Sequence, residues 1–401
     1  MTPLRPLPYG RQCVEDDDIA AVVAALRSDT LTTGPAVSAF EAALAEVTGA
    51  PHAVVCASGT AALHLAALAL DLGPGDAVIV PSLTFLATAN AARYVGAEVV
   101  FADVDGETGL MGPEHLEAAL GRCGDLRPRA VFPVHLNGQS CAMAEITPLA
   151  RRHGLAIVED ACHALGGEQA IDGGWNPIGN GRLSDMACFS FHPVKTVAMG
   201  EGGAVTTADA RLAARLRAMR SHGMTRDPAA FLQPDEAFGA DGQPNPWYYE
   251  MAEPGFNYRA CDIVCALGAS QLAKLGRFMS TRAALVAAYA SALAPLAPRV
   301  VPLKQVAGCH PSWHIQVAKI DFAACGIPRA EVMRGLARRG ISTQVHYLPV
   351  HRQPYYRQRY PGLNLPGADA YYARCLTLPL FVGMTGAEVE RVATALAEVL
   401  E

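Results

Sequence analysis

The sequence has little charge and few aromatic residues for its length. Charged residues occupy 17% and aromatic residues 7% of its 401 positions, and the net charge of −6 offers no basic surface to nucleic acid. A nucleic-acid partner is therefore not expected. The eleven cysteines include no Cys-x-x-Cys pair, so their spacing predicts neither a metal site nor a redox-active disulfide. We expect most of them, Cys162 included, to be small buried residues, with a reactive Cys162 as the alternative.

Long apolar runs are also missing. The run at 61–70 is short and is interrupted by His64, and residues 1–6 contain no apolar core of signal-peptide length. We therefore expect a cytoplasmic protein with no membrane partner. The hydrophobic fraction of 51% nevertheless allows a large core, in two or three domains or in one large domain with an appendage.

From residue 53 onward, short apolar segments alternate with helical patterns. The strands predicted in this part are 53–56, 78–80, 99–101, 130–134, 155–158, 186–191 and 204–206, with helices from 61 and at 86–95. The alternation predicts an α/β fold, a mainly parallel sheet covered by helices on both faces. Ser58, Asp160 and Lys195 follow the carboxyl ends of strands, which is where such sheets bind ligands.

The second half of the chain has a different organisation. Residues 224–251 are rich in Gly, Pro and Asp and predict a long ordered loop of the kind that covers an active site. From 312 onward the pattern predicts strands at 314–320 and 342–347 and helices at 328–339 and 387–400. We therefore predict three parts: an N-terminal segment with a large cofactor-binding α/β domain (1–255), a connecting helical region (256–311) and a small α+β domain (312–401).

Lys195 and Asp160 together fit one kind of cofactor. A carbonyl cofactor with a pyridine nitrogen and a phosphate needs an amine for an imine bond, an acid at the nitrogen and donors around the phosphate. Strand alternation points Glu159 and Asp160 to opposite faces, so only one of them, Asp160 in our prediction, contacts the ligand. Lys195 is followed by a glycine-rich turn at 200–203. A surface lysine and an acidic strand end are the structural alternatives, and we expect His192 to be structural.

Further cofactor contacts are predicted around this pair. Ser58-Gly59-Thr60 lies between a strand and a helix, where backbone N–H groups and hydroxyls can surround a phosphate. Taken alone, such a turn is more often a simple helix cap than a phosphate site. The presence of Lys195 and Asp160 makes the phosphate site the preferred interpretation here. His163 could contact a ring substituent or be structural, and Phe85 could stack on a flat cofactor or pack in the core.

These segments resemble the DegT/DnrJ/EryC1/StrS family of sugar aminotransferases, a branch of the fold-type I pyridoxal-phosphate enzymes. The likeness extends from Tyr9 through 58–60, 159–164, the lysine segment and 257–259 to 344–347. It implies an imine between Lys195 and pyridoxal 5'-phosphate, with Asp160 at the pyridine nitrogen and His163 near the ring hydroxyl. It also implies a homodimer with shared active sites, in which the phosphate is bound by Ser58, Gly59, Thr60, Ser190 and Asn257 of the partner subunit.

Within the family, four features resemble the enzymes of pseudaminic acid biosynthesis: His163 in Asp-x-x-His-Ala-Leu-Gly, and segments 221–227, 246–251 and 344–347. Such an enzyme moves the amino group of L-glutamate to C4 of UDP-2-acetamido-2,6-dideoxy-β-L-arabino-hexos-4-ulose. Residues 196–199 lack the paired threonines common after the lysine. The resemblance implies contacts to cofactor or nucleotide sugar by Tyr9, Asp29, Thr30, Leu31, Thr32, Gln344, Val345, His346 and Tyr347.

Three alternatives stay open. The first is another aminotransferase of this family that delivers nitrogen to C3 or C4 of a different UDP- or dTDP-ketosugar. The second is a dehydratase of the family, in which a histidine replaces the lysine, and Lys195 argues against it. The third is a non-catalytic regulator or complex subunit that binds the cofactor, whose absorbance glutamate would then not bleach.

Overall fold

The computed structural model describes residues 5–401. Its strands are β1 (His52–Cys56), β2 (Asp76–Pro81), β3 (Glu98–Ala102), β4 (Arg127–Val131), β5 (Ala156–Asp160), β6 (Glu168–Ile171), β7 (Gly174–Pro177), β8 (Met186–Ser190), β9 (Gly203–Thr207), β10 (Met224–Thr225), β11 (Glu250–Met251), β12 (Val300–Pro302), β13 (Cys309–His310), β14 (Gln316–Ile320) and β15 (Cys375–Leu378).

The α-helices surround these strands. They are α1 (Asp16–Leu26), α2 (Pro35–Thr48), α3 (Gly59–Ala69), α4 (Leu86–Tyr94), α5 (Pro113–Leu120), α6 (Met143–Arg152), α7 (Ala210–Arg220), α8 (Pro234–Ala237), α9 (Asp262–Leu272), α10 (Leu275–Leu293), α11 (Phe322–Cys325), α12 (Arg329–Arg338), α13 (Pro354–Arg359), α14 (Pro366–Arg374) and α15 (Gly386–Leu400). Within residues 5–401, none of them has the length and apolar character needed to cross a lipid bilayer.

A seven-stranded sheet in the order β1-β9-β8-β5-β4-β2-β3 forms the centre of the molecule. β9 runs antiparallel to both of its neighbours, and the other adjacent strands are parallel. The predicted α/β fold, a mainly parallel sheet enclosed by helices, is therefore confirmed. The predicted strand at 130–134 is displaced, because β4 ends at Val131 and only a single bridge joins Val134 to Asp160.

Helix α3 is apolar on nearly all sides and lies in the core. Its residues from Ala61 to Ala67 are buried, and the helix packs on β8, β9, α4 and α7. A helix that is apolar all around its axis is stable only in such an environment. Its burial fixes the turn that joins it to β1, so the first residues of α3 are held rigidly beside the ends of β5 and β8.

The C-terminal part contains a three-stranded sheet in the order β12-β14-β15. α10 packs on β12 and α14 packs on β14, while α15 packs on α10 and α12. α15 begins at a capping box, because the Thr385 N–H donates to Glu388 Oε2 (2.9 Å) and the Glu388 N–H donates to Thr385 Oγ1 (3.3 Å). The predicted strand at 342–347 is wrong. Ile341 bridges to Leu7 and Gln344 bridges to Thr377, so this segment exchanges one pairing partner for another and never forms a ladder.

The predicted loop at 224–251 is ordered around a short ribbon of β10 and β11. Its anchor is the buried Glu250 carboxylate, which accepts the backbone N–H groups of Leu232 (2.6 Å) and Gln233 (2.7 Å) and the Tyr248 hydroxyl (2.8 Å). Around this anchor, Trp247 is 72% exposed. The loop therefore has a fixed internal structure and presents a large apolar ring to its surroundings.

Candidate active site

A cavity of about 620 Å³ lies at the carboxyl ends of β1, β5 and β8. Ser58 follows β1, Asp160 is the last residue of β5, and Ser190 is the last residue of β8. Lys195 stands five residues beyond Ser190 in a turn closed by its own N–H, which donates to the His192 carbonyl oxygen (2.8 Å). Chain segments that are far apart in the sequence thus bring these side chains to one place.

The turn at 58–60 can hold a phosphate. The Ser58 side chain caps α3 by accepting the Ala61 N–H at 3.1 Å. Gly59 lies against Ser190 so closely that a Cβ built on it would stand 2.7 Å from Ser190 Cβ. The hydroxyls of Thr60 and Ser190 line the same cavity. Because the N-terminus of α3 opens here, its dipole and free N–H groups favour a bound anion.

Asp160 is held in one orientation. Its Oδ2 accepts the Thr88 hydroxyl at 2.7 Å, and its Oδ1 accepts the Cys162 N–H at 3.2 Å. The carboxyl group is buried, with 5% of the residue exposed, and it still lines the cavity. Glu159 points to the opposite face of the sheet, where His135 Nε2 lies 2.7 Å from its Oε2. The alternation expected from the sequence therefore separates the two carboxylates.

Lys195 is half-buried in the cavity wall. Desolvation lowers the pKa of its amine below the ordinary value, while Cys162 and Asp160 oppose that shift. A lowered amine pKa increases the fraction of free base, which is the form that attacks a carbonyl carbon. The thiol of Cys162 behaves in the opposite way, because burial and Asp160 raise its pKa well above the usual value. Cys162 is only partly buried and lines the cavity, so the expectation of a fully buried residue is wrong for it, although its raised pKa favours the thiol over the thiolate.

His163 lies deeper in the same cavity, with both ring nitrogens engaged. Its Nδ1 accepts the Asn137 N–H at 3.3 Å, and its Nε2 lies 3.1 Å from the Tyr347 hydroxyl. Burial lowers the pKa of His163 well below its ordinary value, and the charges of Lys195 and His346 act in the same direction. The ring is therefore neutral, and since Nδ1 is an acceptor, its hydrogen is on Nε2 and is donated to Tyr347.

The segment at 344–347 supplies the facing wall, as does Tyr9. His346 Nδ1 is 2.8 Å from Thr377 Oγ1, and its ring lies 5.5 Å from the Tyr9 ring between centroids. Phe85 is 55% exposed and lies 6.1 Å from the Tyr347 ring, so it is a cavity residue and not a core residue. His192, expected to be structural, is exposed and also lines the cavity.

Two groups of predicted residues do not reach the cavity of their own chain. The first is 29–32 and the second is Asn257, and neither is among the residues that line it. Leu31 and Thr32 contact the start of α9, since the Asp262 N–H donates to the Leu31 carbonyl at 3.0 Å and Thr32 bridges to Cys261, whereas Asn257 bridges to Ser221. The loop at 224–251 likewise contributes no residue to this cavity.

Sequence reasoning missed several residues of the site. Thr88 follows no recognisable motif and is identified only by its bond to Asp160. His314 precedes a strand and gives no sequence signal, yet it lines the cavity with 4% of its surface exposed. Glu201 belongs to the glycine-rich turn at 200–203, which carries no signal for its role, and it lines the cavity.

A family model described as the DegT/DnrJ/EryC1/StrS aminotransferase family matches residues 12–397. The chain belongs to this family. Among solved structures, it is similar to Helicobacter pylori PseC, an aminotransferase involved in the biosynthesis of pseudoaminic acid, with 27% identity over 99% of each chain and a TM-score of 0.86. It is also similar to the putative sugar aminotransferase Spr1654 from Streptococcus pneumoniae in its PLP form, with 26% identity over 98% of each chain and a TM-score of 0.84.

A third similar structure is DesV of S. venezuelae, with 32% identity over 99% of each chain and a TM-score of 0.84. As a member of the DegT/DnrJ/EryC1/StrS family, the chain is a sugar aminotransferase that uses pyridoxal phosphate. The cavity fits that cofactor, because it offers one amine, one buried carboxylate and a helix N-terminus with two hydroxyls. Gly59 carries no side chain, and a Cβ at this position would collide with Ser190. The backbone of this turn therefore has no side-chain atoms in the way and can approach a ligand closely.

Proposed function

We propose that this aminotransferase moves the amino group of L-glutamate to C4 of UDP-2-acetamido-2,6-dideoxy-β-L-arabino-hexos-4-ulose in pseudaminic acid biosynthesis. One observation carries the assignment of the chemistry. Of the four lysines of the chain, at 195, 274, 304 and 319, only Lys195 lines the cavity, and Asp160 lines it too. The sugar assignment is supported by the likeness to PseC over the whole chain and by the segments at 221–227 and 246–251.

The proposed roles follow from the geometry. Bound pyridoxal phosphate supplies an electron-accepting ring that stabilises negative charge at the carbon bearing the amino group. Asp160, fixed by Thr88, keeps the proton of the ring nitrogen in place. Lys195 Nζ would hold the cofactor's aldehyde carbon and, when free, would act as the base that moves a proton at the reacting carbon. Ser58, Gly59, Thr60 and Ser190 would hold the phosphate.

Substitution of Lys195 tests the chemical assignment. We expect Lys195→Ala to abolish turnover while the protein still binds the cofactor, because the phosphate site and Asp160 stay intact. Lys304→Ala is the matched control, since Lys304 is exposed and does not line the cavity. Borohydride reduction of the holoprotein followed by peptide mapping should label the peptide that contains Lys195. Turnover by Lys195→Ala, or a label on another lysine, would contradict the assignment.

A panel of ketosugars tests the substrate. Because DesV is more similar in sequence than PseC, at 32% against 27%, overall identity does not select the sugar. The purified protein is supplied with glutamate and UDP-4-ketosugars that differ in configuration at C5, together with dTDP-4-ketosugars. We expect amination at C4 of the β-L-arabino substrate, identified by mass and NMR. Preference for a C5 epimer or for a dTDP sugar would overturn the pseudaminic acid assignment and leave the aminotransferase class in place.

We also propose a homodimer in which 29–32 and Asn257 act in the partner's site. The proposal is supported by their position outside the cavity of their own chain and by the contacts of Leu31 and Thr32 with Asp262 and Cys261, a few residues beyond Asn257. Neither Lys195→Ala nor Asn257→Ala alone should then support normal turnover. Mixing and reassociating the two inactive variants should restore one functional site per mixed dimer. No recovery of activity on mixing would contradict shared active sites.

A further inference from the structure

His314 is a cavity residue whose ring has unused hydrogen-bonding capacity. It precedes β14, and its backbone is fully engaged: its N–H donates to the Asn137 carbonyl at 3.2 Å, and its carbonyl oxygen accepts Arg282 Nη1 at 3.0 Å. The ring lies 4.4 Å from the His163 ring between centroids. Its Nδ1 is buried and has no hydrogen-bond partner within residues 5–401. His163, in contrast, uses both of its ring nitrogens.

The surroundings of this ring are positive. Lys195 lines the same cavity, and Arg282 lies directly behind His314 with only 1% of its surface exposed. The Arg282 guanidinium bonds to the carbonyl oxygens of His314 and Leu380, and it forms no ion pair in the described part of the chain. Burial lowers the pKa of His314 well below its usual value, with Lys195, His163, Arg282 and His346 acting in the same direction, so the ring is neutral.

A neutral imidazole carries one hydrogen, and its position follows from the contacts. Unsatisfied buried donors are rarer than under-satisfied acceptors, so the unpartnered Nδ1 is the bare nitrogen. The hydrogen is therefore on Nε2. Because Nδ1 is fully enclosed while the ring lines the cavity, the Nε2 edge of the ring is the one that faces the bound ligand.

We infer that His314 binds the α-carboxylate of the amino donor through Nε2–H, a contact that rests on the proposed glutamate-dependent transamination. The ring lines the same cavity as Lys195 and lies next to the buried and unpaired charge of Arg282. Its Nδ1 is enclosed without a partner within residues 5–401, which leaves Nε2–H as the group that a ligand can reach. Lys195 is the only lysine or arginine among the residues that line the cavity within the described part of the chain. Apart from Lys195, this chain therefore contacts the carboxylate through neutral hydrogen-bond donors. The positive charge of Arg282 behind His314 adds a favourable electrostatic interaction with the carboxylate.

The position of His314 in the cavity distinguishes the carboxylate from the other anion of the reaction, the diphosphate of the nucleotide sugar. The α-carboxylate is bonded directly to the carbon that reacts, so it must lie close to Lys195 and the cofactor ring. The diphosphate is separated from C4 of the sugar by several bonds. We therefore expect the group next to the reacting carbon, and not the diphosphate, to reach His314, which is 4% exposed and packs against His163 with its ring tilted by 48°.

Two substitutions separate a binding role from a structural one. His314→Phe keeps the shape of the ring and removes its donor, whereas His314→Gln places an amide N–H near the position of Nε2. The probe is α-methyl-L-glutamate, which retains the carboxylate and cannot lose an α-hydrogen, so its binding to the holoprotein is measured by calorimetry without turnover. Its α-carboxamide analogue serves as the control ligand. Cofactor content and melting temperature verify that each variant is folded.

We expect His314→Phe to weaken binding of α-methyl-L-glutamate by about 10- to 100-fold, the usual effect of losing a hydrogen bond to a charged group. Binding of the α-carboxamide and of the UDP-ketosugar to the pyridoxamine form should change little, and His314→Gln should recover part of the loss. Unchanged binding in His314→Phe, or an equal loss for the ketosugar, would overturn the inference alone. A wild-type protein that neither binds this probe nor is bleached by glutamate would contradict the proposed function as well.

Discussion

Gly59 is the position at which the structure allows the sharpest test of the cofactor site. It is buried at the start of α3, and its role depends on close packing and not on an unusual backbone conformation. A Cβ added there would lie 2.7 Å from Ser190 Cβ, 3.1 Å from Ser190 Oγ and 3.3 Å from Cys162 Sγ. Carbon atoms in contact normally stand about 3.5–4.0 Å apart. The substitution Gly59→Ala therefore forces either β8 or the turn at 58–60 to move.

The size of the effect follows from this overlap. Overpacking by one methyl group in a rigid environment costs about 1–3 kcal/mol. In a chain of this length, about 1 kcal/mol corresponds to roughly 1 °C of melting temperature, so the apoprotein should melt roughly 1–4 °C lower. If the turn moves instead, the same free energy appears as a loss of cofactor affinity of about 5- to 150-fold.

Gly276→Ala provides the matched control. Gly276 lies in the first turn of α10, it is exposed, and a Cβ added there meets no atom within 4 Å. Alanine in this helix should leave stability unchanged or raise it by up to about 1 kcal/mol. Both variants are compared by calorimetric melting of the apoprotein and by titration with pyridoxal phosphate. If Gly59→Ala matched Gly276→Ala in both measurements, the proposed packing of the phosphate turn against Ser190 would be refuted.

Two further predictions concern residues behind the cavity wall. Thr88→Val removes the hydroxyl that orients Asp160 and should weaken cofactor binding about tenfold, whereas Thr88→Ser should retain most of it; equal affinities in a spectroscopic titration would contradict this role. Burial lowers the pKa of His346 to about 3, and Lys195 acts in the same direction. Below about pH 6.5, the ring is therefore protonated in the unfolded chain but stays neutral in the native state. This residue thus costs native stability progressively between about pH 6.5 and pH 3 and has no such effect above pH 7.5. In urea unfolding from pH 6 to pH 4, His346→Asn should reduce the slope of unfolding free energy by about 1.4 kcal/mol per pH unit, and an unchanged slope would show that the ring is not held neutral.

The sequence was sufficient to predict the main sheet and the residues at its strand ends. Apolar runs of three to six residues bounded by polar ones specify buried strands locally, and the ends of parallel strands meet at one edge by topology. For this reason Ser58, Asp160 and Lys195 could be predicted to share a cavity. The pairing of 342–347 could not be predicted, because its pattern does not reveal that Leu7 pairs with the preceding Ile341 and that Thr377 pairs only with Gln344.

The residues that escaped prediction act through contacts between distant segments. Thr88 is placed by α4 and meets Asp160 across 72 positions, and His314 reaches the site only because Arg282 and Asn137 hold its backbone. No spacing in the sequence encodes such contacts. In the proposed mechanism, Lys195 and Asp160 would carry the chemistry. Thr88 orients the Asp160 carboxylate, and His314 would offer an uncharged donor beside the buried Arg282. For the proposed pair of substrates, a neutral donor at position 314 avoids a second buried charge. Within residues 5–401, Arg282 already lies unpaired behind His314, and an arginine in place of His314 would be left without a partner whenever the sugar replaced glutamate.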